Sequence, residues 1–399
     1  MKKYLTVFSS FIIMLCIGSV YAWSLVAAEL IEKYSFSASQ SQIIFGTLIA
    51  LFPVTMIMAG HLSKRVPYRY FGYTAGLLFA AGYSLAGFSQ GRFIIVFLGI
   101  GVLGGVATGF GYWTALTAPV LWFPDKKGLV TGIAAAGFGL GAVMMAEISE
   151  VLLNKGFTVF QILKIIGIAY GLVISFLSNF IFKIDTQVTK VGKKVKISVL
   201  IGTANFKKLF FGIFLGTFAG LLVIGSLRFL GSQHGITDHI LVLGVAVFSL
   251  ANFMGRLAWG GLSDQWGAGF CIFLALLIQS LAILSLNAVL SGFSFLLLSA
   301  LIGFNFGGNF VLFARETAHL YGVANLGMVY PYVFMGYAIA GITGPVSGGL
   351  LYDLTGSFFY SVILASLMSV TGSFIFFYES FLSKCKLSSR KRKNTVNVK

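Results

Sequence analysis

Charge is what this sequence has least of. Only 10% of its 399 residues are Asp, Glu, Lys or Arg, where soluble domains carry about 25%. Eleven residues are acidic. A chain so short of charge cannot clothe a water-facing surface, which excludes an ordinary soluble enzyme or binding module. Cysteine is nearly absent too: Cys16 and Cys271 fall in apolar stretches and Cys385 in a polar tail. Three such residues give neither a disulfide framework nor a metal site. His61, His234, His239 and His319 sit at the ends of apolar stretches and lack the spacing of a metal cluster. The nucleotide loop G-x-x-x-x-G-K-[ST] is missing, so nothing points to ATP-driven work. No catalytic triad or metal signature occurs. The chain is not expected to be an enzyme, and no cofactor is implied.

What is present is apolar length. Hydrophobic residues fill 58% of the chain and mean hydropathy is +0.94. Crossing a bilayer takes about 20 apolar residues, and turn-like or charged breaks recur at that interval. They delimit twelve expected spans at about 5–28, 40–61, 70–89, 92–119, 128–151, 159–183, 206–230, 239–262, 268–290, 293–314, 325–350 and 357–380. The fold expected is an all-α membrane protein. Lys2-Lys3 ahead of an apolar run resembles a secretory signal, but the run continues to Ala28 and reads better as the first span.

Lysine and arginine set the orientation. One side of the twelve spans carries Lys2, Lys3, Lys64, Arg65, Arg69, Lys126, Lys127, Lys207, Lys208, Arg315, the central lysines from Lys183 to Lys196, and the tail from Lys384. The other side offers Lys33, Arg92, Lys155, Lys164 and Arg228. Both termini are therefore expected in the cytoplasm. The net charge of +17 follows from this asymmetry and is no sign of a nucleic-acid partner. The run Arg390-Lys391-Arg392-Lys393 reads as a solvated, topology-fixing tail, with contact to anionic lipid as the alternative.

Arg256 breaks the pattern. It is the one charge in Ile240 to Leu262, and an intramembrane arginine costs about 2.5–3.5 kcal/mol on the mildest insertion scale. Its guanidinium cannot shed its proton. Asn252 lies one turn earlier on the same helix face. The pair is the expected binding point for a small anionic substrate. The competing reading has Arg256 snorkelling or pairing with Asp264, eight residues on.

The chain repeats itself. Gly60-His61-Leu62-Ser63-Lys64-Arg65 and Gly260-Gly261-Leu262-Ser263-Asp264-Gln265 agree at Gly, Leu and Ser with an offset of 200. Two six-span halves about a basic loop resemble the plan of the major facilitator superfamily, whose halves rock around a central site. Each motif is similar to that superfamily's G-x-L-x-D-R-x-G-R loop. The second copy keeps the acid, Asp264; the first has Lys64 there and Val66-Pro67 after it. The resemblance implies a six-helix bundle over 1–184, a cytoplasmic linker at 185–205, a second bundle over 206–383 and a basic tail at 384–399.

A longer block sharpens the resemblance. Trp122-Phe123-Pro124-Asp125-Lys126-Lys127-Gly128-Leu129, then Gly132, Ala135, Ala136, Gly137, Gly139 and Gly141, is similar to the block of the oxalate–formate antiporter and its bacterial monocarboxylate-transporter relatives. Tyr21-Ala22-Trp23-Ser24 and Trp259-Gly260 add to it. Read without the family, Pro124 ends a helix, Asp125 suits the next N-cap, and the glycines allow close helix contact, as do Gly341, Gly344, Gly348 and Gly349. The resemblance implies an aromatic cage with two cations. By position the arginine falls on Arg256, the aromatics on Tyr21, Tyr112, Phe138, Phe306, Phe310 and Tyr330, and the lysine on Val333. One cation suits a monocarboxylate, so oxalate exchange is not expected. Pro331, next to Tyr330, is expected to open a carbonyl in its helix and kink it.

Two further charges invite a role. Glu147 is expected near the outer end of the fifth span and Arg228 at similar depth in the seventh, as a candidate gating or coupling pair. Asn252 cannot carry a proton. The implied activity is secondary transport of a small organic anion by alternating access, either proton-coupled or by anion exchange. The alternatives are a carrier for another small anion or an amino acid, a sensor on the same fold, or a channel. The partners implied are the anion, the lipid bilayer and protons, with the monomer as the working unit in a bacterial inner membrane.

Overall fold

The computed structural model describes the backbone of residues 1–36, 38–182 and 197–396. Side chains are described there except at 24–25, 27–28, 31–32, 38–39, 42, 197–198, 228–229, 238, 353 and 378–396. Most of the expected linker and the side chains of the basic tail thus lie outside the described residues.

Every regular element in these ranges is helical. The first half holds α1 (Lys2–Gly18), α2 (Trp23–Tyr34), α3 (Ala38–Leu62), α4 (Tyr68–Gly87), α5 (Phe93–Val96), α6 (Gly105–Trp122), α7 (Lys127–Asn154) and α8 (Val159–Ser178). After the linker come α9 (Ile197–Ile201), α10 (Ala204–Gln233), α11 (Asp238–Trp266), α12 (Ala268–Ser285), α13 (Gly292–Tyr321), α14 (Leu326–Thr355) and α15 (Phe359–Val396). A 3₁₀ turn, Ser19–Ala22, joins α1 to α2, and a π-helical stretch, Phe97–Gly104, joins α5 to α6.

Among the described residues eleven helices are long and apolar enough to cross a bilayer. The exception among the twelve expected spans is α4. It has the length, at 20 residues, but Arg69 and four tyrosines with glycine and serine lower its hydropathy. It nonetheless packs along α8 like a span, with Gly72 and Gly76 against Ser178 and Ser175. Tyrosine and small residues suit the face that packs on other helices, while Leu77 and Leu85 stand exposed on the other face.

The two sequence halves meet chiefly along two helix pairs, α7 with α11 and α3 with α14. Glycine makes both contacts close. A Cβ on Gly132 would stand 2.6 Å from the Arg256 carbonyl oxygen, and one on Gly260 would stand 2.6 Å from that of Gly128. Without side chains in the way, backbones approach until dispersion and Cα–H contacts hold them.

One local expectation is corrected. Asp125 does not cap α7. The helix starts at Lys127 with Lys126 at its N-cap and no side-chain cap of its own. Asp264, from the end of α11, accepts the Gly128 and Leu129 N–H groups at 2.9 Å each. A carboxylate brought by tertiary packing displaced the local candidate, because it meets two free N–H groups at the positive end of the helix.

Candidate functional site

Arg256 is fully buried, at 0% exposure, so it does not snorkel. It does not pair with Asp264 either. Its Nε donates to Asn252 Oδ1 at 2.9 Å, across one turn of α11. One terminal nitrogen, Nη1, donates to the Ala135 carbonyl of α7 at 2.8 Å. The other, Nη2, is buried without a hydrogen-bond partner. A charged donor left unmatched in a buried centre is costly. The guanidinium lies over the Phe310 ring at 4.5 Å and over Phe138 at 5.7 Å. Such ring contacts contribute up to about 2 kcal/mol when desolvated. They support the cation but accept no hydrogen bond from Nη2.

Gly139 leaves room for this arrangement. A Cβ there would come within 3.3 Å of Asn252 Oδ1 and 3.6 Å of Arg256 Nε. The glycine run of α7 therefore does two things, admitting the α11 backbone and the head group of its arginine.

Aromatic rings close around the cation. Tyr112 stacks on Phe334 at 5.6 Å and meets Phe138 edge-on at 5.4 Å and Phe52 at 4.9 Å. Tyr21 meets Phe138 at 5.1 Å, and its hydroxyl pairs with that of Tyr337 at 2.5 Å. Tyr330 packs on Phe334 at 5.3 Å and donates to the Phe310 carbonyl at 3.2 Å. All four tyrosines lie within electrostatic reach of Arg256. The Tyr112 hydroxyl lies near that of Tyr330 but completes no hydrogen bond. The centre thus offers an anion a cationic N–H and a phenol, both uncommitted, amid rings that exclude water.

Of the residues singled out in the sequence, Arg256, Asn252, Tyr21, Tyr112, Phe138, Phe310 and Tyr330 come together here. Phe306 joins only through Phe310, at 5.3 Å, with its other side against Phe248 and Gly220. Val333 is buried and shares a helix face with Tyr330, Phe334 and Tyr337. Phe52, Phe334 and Tyr337 were not foreseen. The last two follow Tyr330 at four and seven residues, a helical spacing that could have found them.

Glu147 is exposed and stands apart from the cage. The side chain of Arg228 lies outside the described residues, so the proposed pairing of the two is not described. Asp264 sits at the end of the bundle where the basic loops cluster, with Arg315 Nε 3.7 Å from its carboxylate and Arg315 Nη1 3.8 Å from Glu316. No group of three or more potential metal ligands occurs among the described residues.

Comparison with known proteins places the fold. Residues 5–197 match the Major Facilitator Superfamily. The chain is 28% identical to the uncharacterized MFS-type transporter YhjX of Escherichia coli, over 85% of this chain and 86% of that one. It is 26% identical to the oxalate:formate antiporter of Oxalobacter formigenes, over 92% and 88%. It is 25% identical to human monocarboxylate transporter 11, over 90% and 79%. The fucose:proton symporter FucP of E. coli shares the fold at a TM-score of 0.71, with 14% identity over 92% of this chain and 98% of that one. Eleven apolar helices, two bundles meeting through glycine-lined pairs and a sequence match across the first half lead to one family: this chain is a multi-pass membrane protein that belongs to the major facilitator superfamily of secondary transporters.

Proposed function

We propose that this protein carries small monocarboxylate anions across the membrane by alternating access, exchanging one anion for another. The observation that carries this is Arg256 Nη2, a buried cationic donor with no partner, set among aromatic rings of a cage that also holds the unpartnered Tyr112 hydroxyl. Nε and Nη1 are already engaged, so the guanidinium has one nitrogen left for substrate. One carboxylate oxygen on Nη2 and the other on Tyr112 would use both free donors.

The valence follows from what is near. Arg256 is the only lysine or arginine fully buried among the described residues. No Lys or Arg occurs anywhere in α14, so the second cation of a dicarboxylate site is missing whichever residue of that helix faces the centre. A second carboxylate would be desolvated without a counter-charge, which costs several kcal/mol. An amino acid is disfavoured by the converse shortage. Its ammonium needs an acid, and Glu316, near Arg315 at the basic end, is the only buried acid among the described residues.

The same shortage supports exchange over proton symport. Asn252 cannot take a proton, and among the described residues no carboxylate pairs with Arg256. The empty centre keeps its positive charge buried, whereas the anion-loaded centre is neutral. Crossing loaded is the easier step in both directions. We further propose the sequence-based arrangement: bundles at 1–184 and 206–383, a cytoplasmic linker and tail, and both termini in the cytoplasm of a bacterial cell.

The test is transport by purified protein in liposomes preloaded with unlabelled monocarboxylate. Labelled lactate or pyruvate should enter preloaded liposomes at least several-fold faster than empty ones, with little effect of an imposed pH gradient. Uptake into empty liposomes that follows the pH gradient would replace exchange by proton symport. Binding without uptake would make the protein a sensor.

A further inference from the structure

The two motif copies differ in chemistry, and so do the helix contacts they make. In the second copy Gly260 meets Gly128 in the first turns of α7, and four residues on Asp264 accepts the Gly128 and Leu129 N–H groups. In the first copy Gly60 meets Gly327 in the first turn of α14 in the same way; a Cβ on Gly60 would collide with the Gly327 carbonyl. Four residues beyond Gly60, however, stands Lys64, which cannot accept a hydrogen bond, and it is exposed. The α14 junction has lost the acid that ties down its counterpart.

Another bond occupies that place. Pro331 has no N–H, so the carbonyl four residues earlier, that of Gly327, has no helical partner. The Trp113 indole donates to that carbonyl at 2.6 Å, from α6 across to α14, with both groups buried. The indole is fixed by Tyr68 at 4.8 Å and Phe71 at 5.2 Å. Gly327 is fitted to it, since a Cβ there would lie 2.9 Å from Trp113 Cζ2 and 2.7 Å from Thr117 Cγ2. The expected open carbonyl is thus real but engaged, and α14 runs on through the proline to Thr355.

We propose that Trp113 is a positioning residue for transport: its indole, bonded to the carbonyl that Pro331 frees, is a neutral latch that closes the basic end of the bundle where the first motif copy has no acid. Trp113 follows Tyr112 directly, and Pro331 follows Tyr330. One end of the latch is therefore one residue from the cage, the other, Gly327, lies three residues before Tyr330 in the same helix, and movement of either tyrosine around an anion is passed to it along the backbone. One closure is charged, through Asp264, and the other is uncharged, through Trp113. The proposal does not depend on which anion is carried.

The experiment measures exposure of a buried reporter with no substrate present. Thr117→Cys is introduced in a Cys16→Ser, Cys271→Ala, Cys385→Ser background and the purified protein is labelled with a fluorescent maleimide. Trp113→Phe keeps the ring and removes the N–H. It should speed labelling by about two- to tenfold, the range that loss of one neutral hydrogen bond supports, and the rate should stay insensitive to salt. Asp264→Asn should speed labelling with a salt-sensitive dependence. Gly327→Ala, whose methyl presses on the indole and on position 117, should reproduce the effect when the reporter is moved to Thr114→Cys, one turn away on α6, and serves if Trp113→Phe does not fold. Unchanged labelling in whichever of the two folds, with a normal melting temperature, would overturn the latch. A faster rate that appears only with a lowered melting temperature would also overturn it, making Trp113 plain packing.

Discussion

Replacing Arg256 with glutamine isolates the substrate contact from the structural ones. In the structure two of the three guanidinium nitrogens serve the protein itself, on Asn252 and on Ala135. A glutamine amide is shorter and neutral but still donates and accepts, so those internal bonds are partly replaceable. The positive charge and the free Nη2 are not. A hydrogen bond to a charged group contributes about 1.5–3 kcal/mol, and each ~1.4 kcal/mol is tenfold in affinity. Arg256→Gln should therefore weaken monocarboxylate binding by about tenfold to a hundredfold. Arg256→Lys keeps the charge without the planar fork and should fall between that variant and the unmodified protein. Scintillation-proximity binding to purified protein measures this, with size-exclusion profiles as the check on folding. Unchanged affinity in a well-folded Arg256→Gln protein would refute the reasoning and leave the arginine as a rivet between α7 and α11.

Three other outcomes are expected. Val333→Lys, on the face that carries Tyr330 and Tyr337, should move preference from lactate or pyruvate towards oxalate in competition assays; oxalate winning already in the unmodified protein would mean that another residue supplies the second charge. Asp264→Asn removes a carboxylate from two helix-capping bonds, a loss of about 1 kcal/mol, and should raise cysteine labelling at the basic end about fivefold at low salt. Single cysteines at positions 198 and 388 should resist impermeant reagents applied to intact cells while one at Ser232 reacts; the reverse pattern would invert the orientation.

Much of this architecture could be read in the sequence because membrane helices obey simple periodicity. The offset of 200 between Gly60 and Gly260 announced two halves, and the structure turns that offset into paired close contacts on Gly327 and Gly128. Asn252 and Arg256 were legible as a pair because a four-residue spacing fixes the face they share. The aromatic cage was only partly legible. With 41 phenylalanines and 16 tyrosines in the chain, Phe52, Phe334 and Tyr337 were indistinguishable from packing until α3 and α14 came together. Asp125 failed as a cap for a related reason. Local sequence can show that a residue suits a role, but not that a distant carboxylate will arrive first. The weak hydropathy of α4 likewise reflects a neighbour, α8, that no local reading can see.

The bond from Arg256 to Ala135 has a consequence for how the protein is made. Its two partners are 121 residues apart in the chain, and the ribosome finishes the carbonyl long before the guanidinium. When α11 leaves the translocon, an unescorted arginine faces hydrocarbon, but α7 is already inserted with its carbonyl and the Phe138 ring in place. The first half is therefore expected to act as a template that receives α11 during synthesis. A second half expressed alone would have to insert the same arginine with nothing to meet it, and supplying the first half from a separate gene should rescue its insertion.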